Sequence, residues 1–317
     1  MGDDMNPRTH ERARPTFAPT PGGGPVFLVG PARSGTSLLY KVLCLHPDTA
    51  YISNWVAREP SLPWLAGLNR VARRMPDTQR RVWFGADAAN AYVYGRPRPL
   101  AQRLFPMPVE GEPVFARSGI PPSAAPADPA AAGRALRDAL GRIRSASGGR
   151  VVLNKRIANL YRIPFLAQAF PSARFVALVR DGRAVALSLS KVDWWPEHPV
   201  VWHGGTPRTW ATAGNDPWEL CARNWVEELR AMEEGLSGVD PERVLRLRYE
   251  DLIAEPGSRL REIGAFAGLP ANADWDRRVA GLSFPDRNEA WRATLDPAAL
   301  ATITQIQAAG LEEYGYA

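Results

Sequence analysis

Short unbroken apolar runs and longer runs of helical spacing alternate along this chain. Val26 to Val29, Val151 to Leu153 and Phe175 to Val179 are the clearest short runs. Unbroken runs of this length predict strands buried on both faces. Leu38 to Leu43 shows helical spacing, and that helix ends at His46-Pro47. A short strand is predicted within Thr49 to Trp55, and a basic helical stretch over Pro60 to Arg81. Helices follow at Arg134 to Ile143 and at Ile163 to Phe170, the latter stopped by Pro171. Another starts over Ala184 to Lys191. A strand at Val244 to Tyr249 and a helix at Ser258 to Ala267 come next. Asp296 caps a last helix with Pro297 at its first position. Alternating strands and helices predict an α/β fold, a parallel sheet flanked by helices. Ligands then bind at the carboxyl ends of the strands, where Gly30, Lys155 and Arg180 fall.

Two stretches break this texture. Residues 95–133 are dense in proline and alanine and are expected to form a long, partly irregular excursion over the core. Residues 192–218 begin with Trp194 and Trp195. Six of the 11 tryptophans fall between Trp194 and Trp225, among prolines and glycines with neither helical nor strand period. A long loop with apolar anchors fits, either as a lid over a substrate or as a segment pinned to the core. Residues 1–24 are polar and rich in Pro, Gly and Arg, without the apolar centre of a signal peptide. A disordered leader on a cytoplasmic protein is the expectation, ahead of a single domain over 25–317.

The chain of 317 residues has no apolar run of 18 or more, so no transmembrane helix is expected. Its net charge of +6 is spread widely. That suits a solvated basic surface or a site for a multiply charged anion. No nucleic-acid module and no metal-ligand cluster is visible. The two cysteines, Cys44 and Cys221, sit in apolar helical patterns and read as buried thiols.

The strongest chemical signal is Gly30-Pro31-Ala32-Arg33-Ser34-Gly35-Thr36-Ser37, between the first strand and the first helix. A loop of this kind turns backbone N–H groups and a helix N-terminus toward an anion. The spacing is close to the nucleotide P-loop, but Thr36 replaces its lysine and the cation, Arg33, lies inside the loop. A second candidate grip is Arg180 at a strand end with Ser188 eight residues later on a helix. An arginine and a hydroxyl so placed hold one phosphate from two sides.

Together these motifs resemble those of the sulfotransferases that use 3′-phosphoadenosine 5′-phosphosulfate (PAPS). Arg33 to Ser37 is similar to their 5′-phosphosulfate loop, and Arg180 with Ser188 to their 3′-phosphate motif. Arg248-Tyr249-Glu250-Asp251-Leu252 looks like a third shared block, whose tyrosine lies near the nucleotide. The resemblance covers about residues 25–55 and 150–317. It implies a P-loop-like fold and metal-independent in-line transfer of a sulfuryl group to a hydroxyl or amine. Adenosine 3′,5′-bisphosphate (PAP) is then the product nucleotide. It further implies that Arg33, Ser34, Gly35, Thr36, Ser37, Arg180, Ser188 and Tyr249 bind the donor, with Arg33 and Lys155 near the sulfuryl group.

The departures concern the base. Lys155-Arg156-Ile157 lacks the histidine of cytosolic members, and Ser53-Asn54 stand where tyrosylprotein members carry a glutamate. Candidates for accepting the proton are Glu59, Asp193 and His203. The expected partner is a small-molecule, sugar or lipid acceptor. The rival readings are a P-loop kinase or NTPase, with Val176 to Asp181 as a Walker-B-like strand, and a non-catalytic nucleotide-binding protein.

Overall fold

The computed structural model describes residues 23–84 and 99–316, apart from 283, 285 and 287. Among them, β1 (Val26–Val29), β2 (Thr49–Tyr51), β3 (Val151–Lys155), β4 (Arg174–Val179) and β5 (Val244–Arg248) form one sheet. Every neighbouring pair is parallel, in the order β2-β3-β1-β4-β5. The chain leaves β1 for the far edge, returns through β3, and crosses to β4 on the other side. The order therefore reverses at β1, and a crevice opens there at the carboxyl ends of the strands. The register sets Leu28 beside Lys155 and Val29 beside Ala177, so the three strand ends lie side by side.

The pleat sorts the apolar runs between two cores. Phe27, Val29, Val152, Phe175, Ala177 and Val179 face one layer of helices. That layer contains α3 (Pro129–Ser147), α4 (Ile163–Ala169), α5 (Gly182–Ser190), α6 (Pro217–Ser237) and α8 (Pro297–Glu313). Val26, Leu28, Leu153, Val176 and Leu178 face the other layer, with Leu39, Val42 and Leu43 of α1 (Thr36–Cys44). Both faces being covered is why these strands carry no polar alternation. The short helices α2 (Asn54–Arg58) and α7 (Tyr249–Ala254) follow β2 and β5.

Local chemistry explains the helix ends. Asp128, Asp216 and Asp296 each accept a backbone N–H of the first turn, and each is followed by proline. Gly148 adopts φ 69° to close α3. Cys44 and Cys221 are both buried and unpaired with each other.

Three expectations need revision. The stretch from Pro60 to Arg81 is not one helix. It is a 3-10 turn at Pro63–Gly67 followed by helices at Leu68–Arg74 and Pro76–Phe84, because each proline restarts the turn. The excursion over 95–133 is more ordered than its composition suggests. It holds helices at Leu100–Leu104 and Glu112–Arg117 and the first turn of α3, which begins at Pro129 rather than Arg134. Residues 95–98 and the leader 1–22 lie outside the described residues. The tryptophan-rich segment is not all loop either. It contains a 3-10 turn at Trp195–Glu197 and a helix at Pro207–Thr212, while Trp218 and Trp225 ride on α6.

The central strand pair gives a direct test of packing. Phe175 is fully buried and stacks on Phe27 with ring centroids 5.7 Å apart. Phe175→Ala is expected to cost about 3–5 kcal/mol in urea unfolding. A loss below about 1 kcal/mol would show that the surrounding side chains close the hole and that β4 is loosely packed.

Candidate active site

The loop after β1 is shaped by two left-handed residues. Gly35 has φ 87°, and Arg33, with φ 68°, is the one non-glycine at positive φ among the described residues. A side chain held there costs roughly 1–2 kcal/mol, so the surroundings must over-determine it. They do so in three ways. The Arg33 Nε–H donates to Ser188 Oγ on α5 at 2.9 Å. A Cβ on Gly35 would come within 2.4 Å of the Tyr249 ring, and one on Gly30 within 2.2 Å of the Leu178 carbonyl oxygen. Glycine at both places lets the loop lie against α7 and β4. Ser34 Oγ is buried and has no hydrogen-bond partner among the described residues.

Not every loop N–H points inward. The Ala32 N–H donates to Glu228 Oε2 on α6 at 2.6 Å, and the Ser34 N–H closes a turn onto Pro31. Glu228 is only 3 % exposed. Burial lifts its pKa to about 7, against the opposing pull of the Ala32 N–H, Asn224 and Lys155. A carboxyl whose pKa is raised to about 7 grips the loop while carrying less negative charge near neutral pH than an ordinary glutamate.

Arg180, at the end of β4, is oriented from several sides. Its Nε–H donates to Asn288 Oδ1 at 3.0 Å, and its guanidinium lies 4.8 Å from the centroid of the Tyr249 ring. Its backbone carbonyl accepts from Trp225 Nε1 at 3.2 Å. A weaker bond of 3.5 Å runs from Nη1 to the Arg33 carbonyl oxygen. The two sequence grips are thus one site. Asp181 is engaged within its own helix. Its carboxylate caps α5 at the Arg183 N–H and pairs with the Arg183 guanidinium at 2.8 Å.

At the end of β3, Lys155 meets a carboxylate that no sequence motif announced. Lys155 Nζ lies 2.5 Å from Glu110 Oε1, and Arg156 Nη1 lies 3.1 Å from Oε2 of the same residue. Arg156 also pairs with Glu112, which in turn takes Arg162 at 2.8 Å. Across from this network stands His198, held edge-on to Trp194 and stacked on Trp195. Burial, with Arg156 nearby, pushes its pKa below the ordinary value, and Glu110 pulls back only in part.

Residues 25–274 match the profile of a family described as the sulfotransferase family. The chain belongs to the sulfotransferase family. Over 267 residues it is 27% identical to omega-hydroxy-beta-dihydromenaquinone-9 sulfotransferase Stf3 of Mycobacterium tuberculosis, covering 77% of this chain. The match spans 63% of that relative, less than two thirds of its length. Carbohydrate sulfotransferase 5 of Mus musculus is 28% identical over 326 residues, which cover 92% of this chain and 80% of the mouse protein. Sulfotransferase STF9 from Mycobacterium avium superposes with a TM-score of 0.55 at 18% identity, over 93% of this chain and 77% of that one. That last likeness supports the fold.

Within this sulfotransferase fold, Arg33, Ser34, Gly35, Thr36, Ser37, Lys155, Arg180, Ser188 and Tyr249 converge on the crevice at β1. The three candidate bases do not converge with them to the same degree. Glu59 is exposed at the end of α2, and Asp193 is exposed just before Trp194. His203 packs between Trp202 and Trp210, with ring centroids at 5.8 and 5.0 Å. Sequence reasoning missed Glu110 and Glu228, and it left His198, in the same segment as His203, outside the three candidate bases. Glu110-Gly111-Glu112, an acidic pair around a glycine inside a Pro/Ala-rich stretch, was the signal available for the first.

Glu228 makes stability depend on pH. Its carboxyl holds its proton more tightly in the folded chain than the ordinary value near 4.5. Between about pH 4.5 and 7 the unfolded chain therefore releases a proton that the folded chain keeps, and stability falls as pH rises through that window. The penalty is fully present above pH 7. Glu228→Gln is expected to remove it, so its stability relative to wild type should improve by up to about 3 kcal/mol between pH 4.5 and 7.5. Urea unfolding of both proteins at the two pH values checks this, and parallel pH profiles would show that Glu228 ionises normally.

Proposed function

We propose that the protein is a PAPS-dependent sulfotransferase that passes a sulfuryl group to a hydroxyl or amine of a small acceptor, a lipid or a sugar. The observation that carries this is the Arg33–Ser188 hydrogen bond at the crevice of the sheet. It joins a 5′ anion loop to a 3′ phosphate grip across the switch point. The residues fit the donor. Ser34 presents a buried hydroxyl without a partner, and the glycines leave a cradle that a Cβ would fill.

The backbone N–H groups at the start of α1, with Thr36 and Ser37, would hold the 5′-phosphate, and Ser34 lines the same loop. Arg180 and Ser188 would hold the 3′-phosphate, with Tyr249 beside them. The donor, when bound, supplies the sulfuryl group and leaves as PAP. Arg33 and Lys155 would stabilise the charge that grows on the departing oxygen, as fixed cations do in a site shielded from water. The Trp-rich segment borders the other side of the crevice, and indole faces accept sugar rings and lipid chains alike. The named relatives act on a hydroxylated quinone and on carbohydrate, which supports an acceptor of either kind. No helix among the described residues is long and apolar enough to cross a membrane. A cytoplasmic location is part of the same reading. A kinase-like reading has little support, because Asp181 is committed to Arg183 and the helix cap.

Calorimetry tests the assignment. PAP is expected to bind equally well in EDTA and in Mg²⁺, and ATP to bind weakly in both. Mg²⁺-dependent ATP binding without PAP binding would overturn the proposal. Arg180→Ala is expected to weaken PAP roughly tenfold to a hundredfold, the worth of a charged hydrogen bond, and to change adenosine 5′-phosphate binding far less. Equal losses for both nucleotides would remove Arg180 from the 3′-phosphate.

A further inference from the structure

Glu110 sets a carboxylate beside Lys155, and its backbone is fixed from several sides. Glu110 sits at the carboxyl edge of the sheet, between β2 and β3. Pro108 bridges to Ser53, and the Val109 N–H donates to the Ile52 carbonyl at 3.0 Å. The Glu110 carbonyl accepts from Asn154 Nδ2 at 3.1 Å. Asn154 is fully buried and is itself held by Asn159 at 2.9 Å. Gly111 follows at φ 74°, packed so closely on Ile52 that a Cβ would come within 2.5 Å of it. A charge that merely balanced Lys155 would not need this scaffold, since a flexible surface side chain balances a cation as well.

We propose that Glu110 takes the acceptor's proton, and that Lys155 restrains it until the donor's sulfuryl group draws the ammonium away. This rests on the donor assignment above. Without donor, Lys155 and Arg156 occupy both carboxylate oxygens. A sulfuryl group beside Lys155 offers the ammonium a second anion, and Oε1 becomes available to an acceptor hydroxyl. The acceptor O–H proton passes to Glu110, and the oxygen's electron pair forms the new S–O bond. The S–O bond to the 5′-phosphate breaks, and its electron pair stays on PAP. Proton removal is thereby tied to donor binding, which protects Glu110 from idle protonation.

The groups facing Glu110 are Lys155 and Arg156 on β3 and its continuation, and His198 on the Trp-rich segment. Glu112 lies beyond Arg156, and Glu228 lies on the far side of Lys155. Burial alone would raise the Glu110 pKa, but Lys155 and then Arg156 outweigh it and hold it below the usual range. Loosening Lys155 therefore raises it, and at acidic pH, near the ordinary carboxylate range, the donor complex takes up protons that it does not take up at neutral pH.

The test uses PAPS itself with the full chain and Glu110→Gln, which keeps the shape and one accepting oxygen. Binding is measured by calorimetry at pH 5 in two buffers of different ionisation enthalpy, where Glu228 is already protonated. Wild type is expected to take up more protons than Glu110→Gln, while the variant binds PAPS as tightly or tighter. Release of labelled sulfate from PAPS, with water as acceptor, is expected to fall about a hundredfold or more in the variant. The acid limb of the wild-type pH profile should disappear with it. Equal proton uptake by both proteins overturns the proposal, as does sulfate release within about threefold of wild type. A tenfold loss of PAPS binding in the variant also overturns it and makes Glu110 a support for Lys155. Loss confined to His198→Ala would hand the proton to the histidine. Failure of wild type to bind PAPS defeats the donor assignment instead, and this inference falls with it.

Discussion

Three cationic side chains crowd the carboxyl edge of one buried sheet, and the rest of the site is arranged around their mutual repulsion. Arg33, Lys155 and Arg180 follow β1, β3 and β4, which are hydrogen-bonded neighbours. Like charges so close, away from bulk water, destabilise the chain unless each finds a partner. Each does, and by different means. Ser188 takes Arg33, Glu110 takes Lys155, and Asn288 with the Tyr249 ring takes Arg180. Ser188, Asn288 and the Tyr249 ring are neutral groups. They orient the guanidinium groups without cancelling the positive field that draws in a multiply charged anion.

The partners come from every layer of the fold. Ser188 rides on α5, Tyr249 on α7, and Asn288 lies in the loop before the last helices. The strained φ of Arg33 is affordable only because the loop is clamped at Ala32 by α6, at Gly35 by α7 and at Arg33 by α5. A loop held from three sides does not need to reorganise when an anion arrives, and preorganisation of this kind is what makes fixed dipoles effective in transfer chemistry.

The sequence made visible what is local. Three of the five strands, β1, β3 and β4, contain apolar runs whose neighbours in the chain already fix their character, and the anion loop is a contiguous stretch. Arg180 and Ser188 are legible because a strand end and the next helix put them eight residues apart. What stayed hidden depends on distance along the chain. Ala32 and Glu228 are separated by 196 residues, and Lys155 and Glu110 by 45. Nothing in the α6 pattern marks Glu228, which stands on a buried face where an apolar residue is the ordinary choice. The excursion over 95–133 was read as a cover because proline and alanine dominate it. Its contacts with the end of β3 come from a few residues, Pro108 to Glu112, that composition averages away.

The two hidden carboxylates explain each other. Both feel the charge of Lys155, Glu228 is buried and Glu110 half-buried, and they are driven in opposite directions. Glu228 has the Ala32 N–H, Asn224 and the field of Lys155 against full burial, and burial prevails, lifting its pKa to about 7. Glu110 has Lys155 and Arg156 in direct contact, so the cations prevail and the proton leaves early. Toward neutral pH this leaves the carboxyl under the anion loop less charged than an ordinary glutamate, and the carboxylate beside Lys155 charged. The reverse assignment would set a negative charge against the donor's phosphosulfate and leave the acceptor without a group able to receive a proton. Environments that push paired acids apart in this way are how one fold separates the work of binding an anion from that of taking a proton.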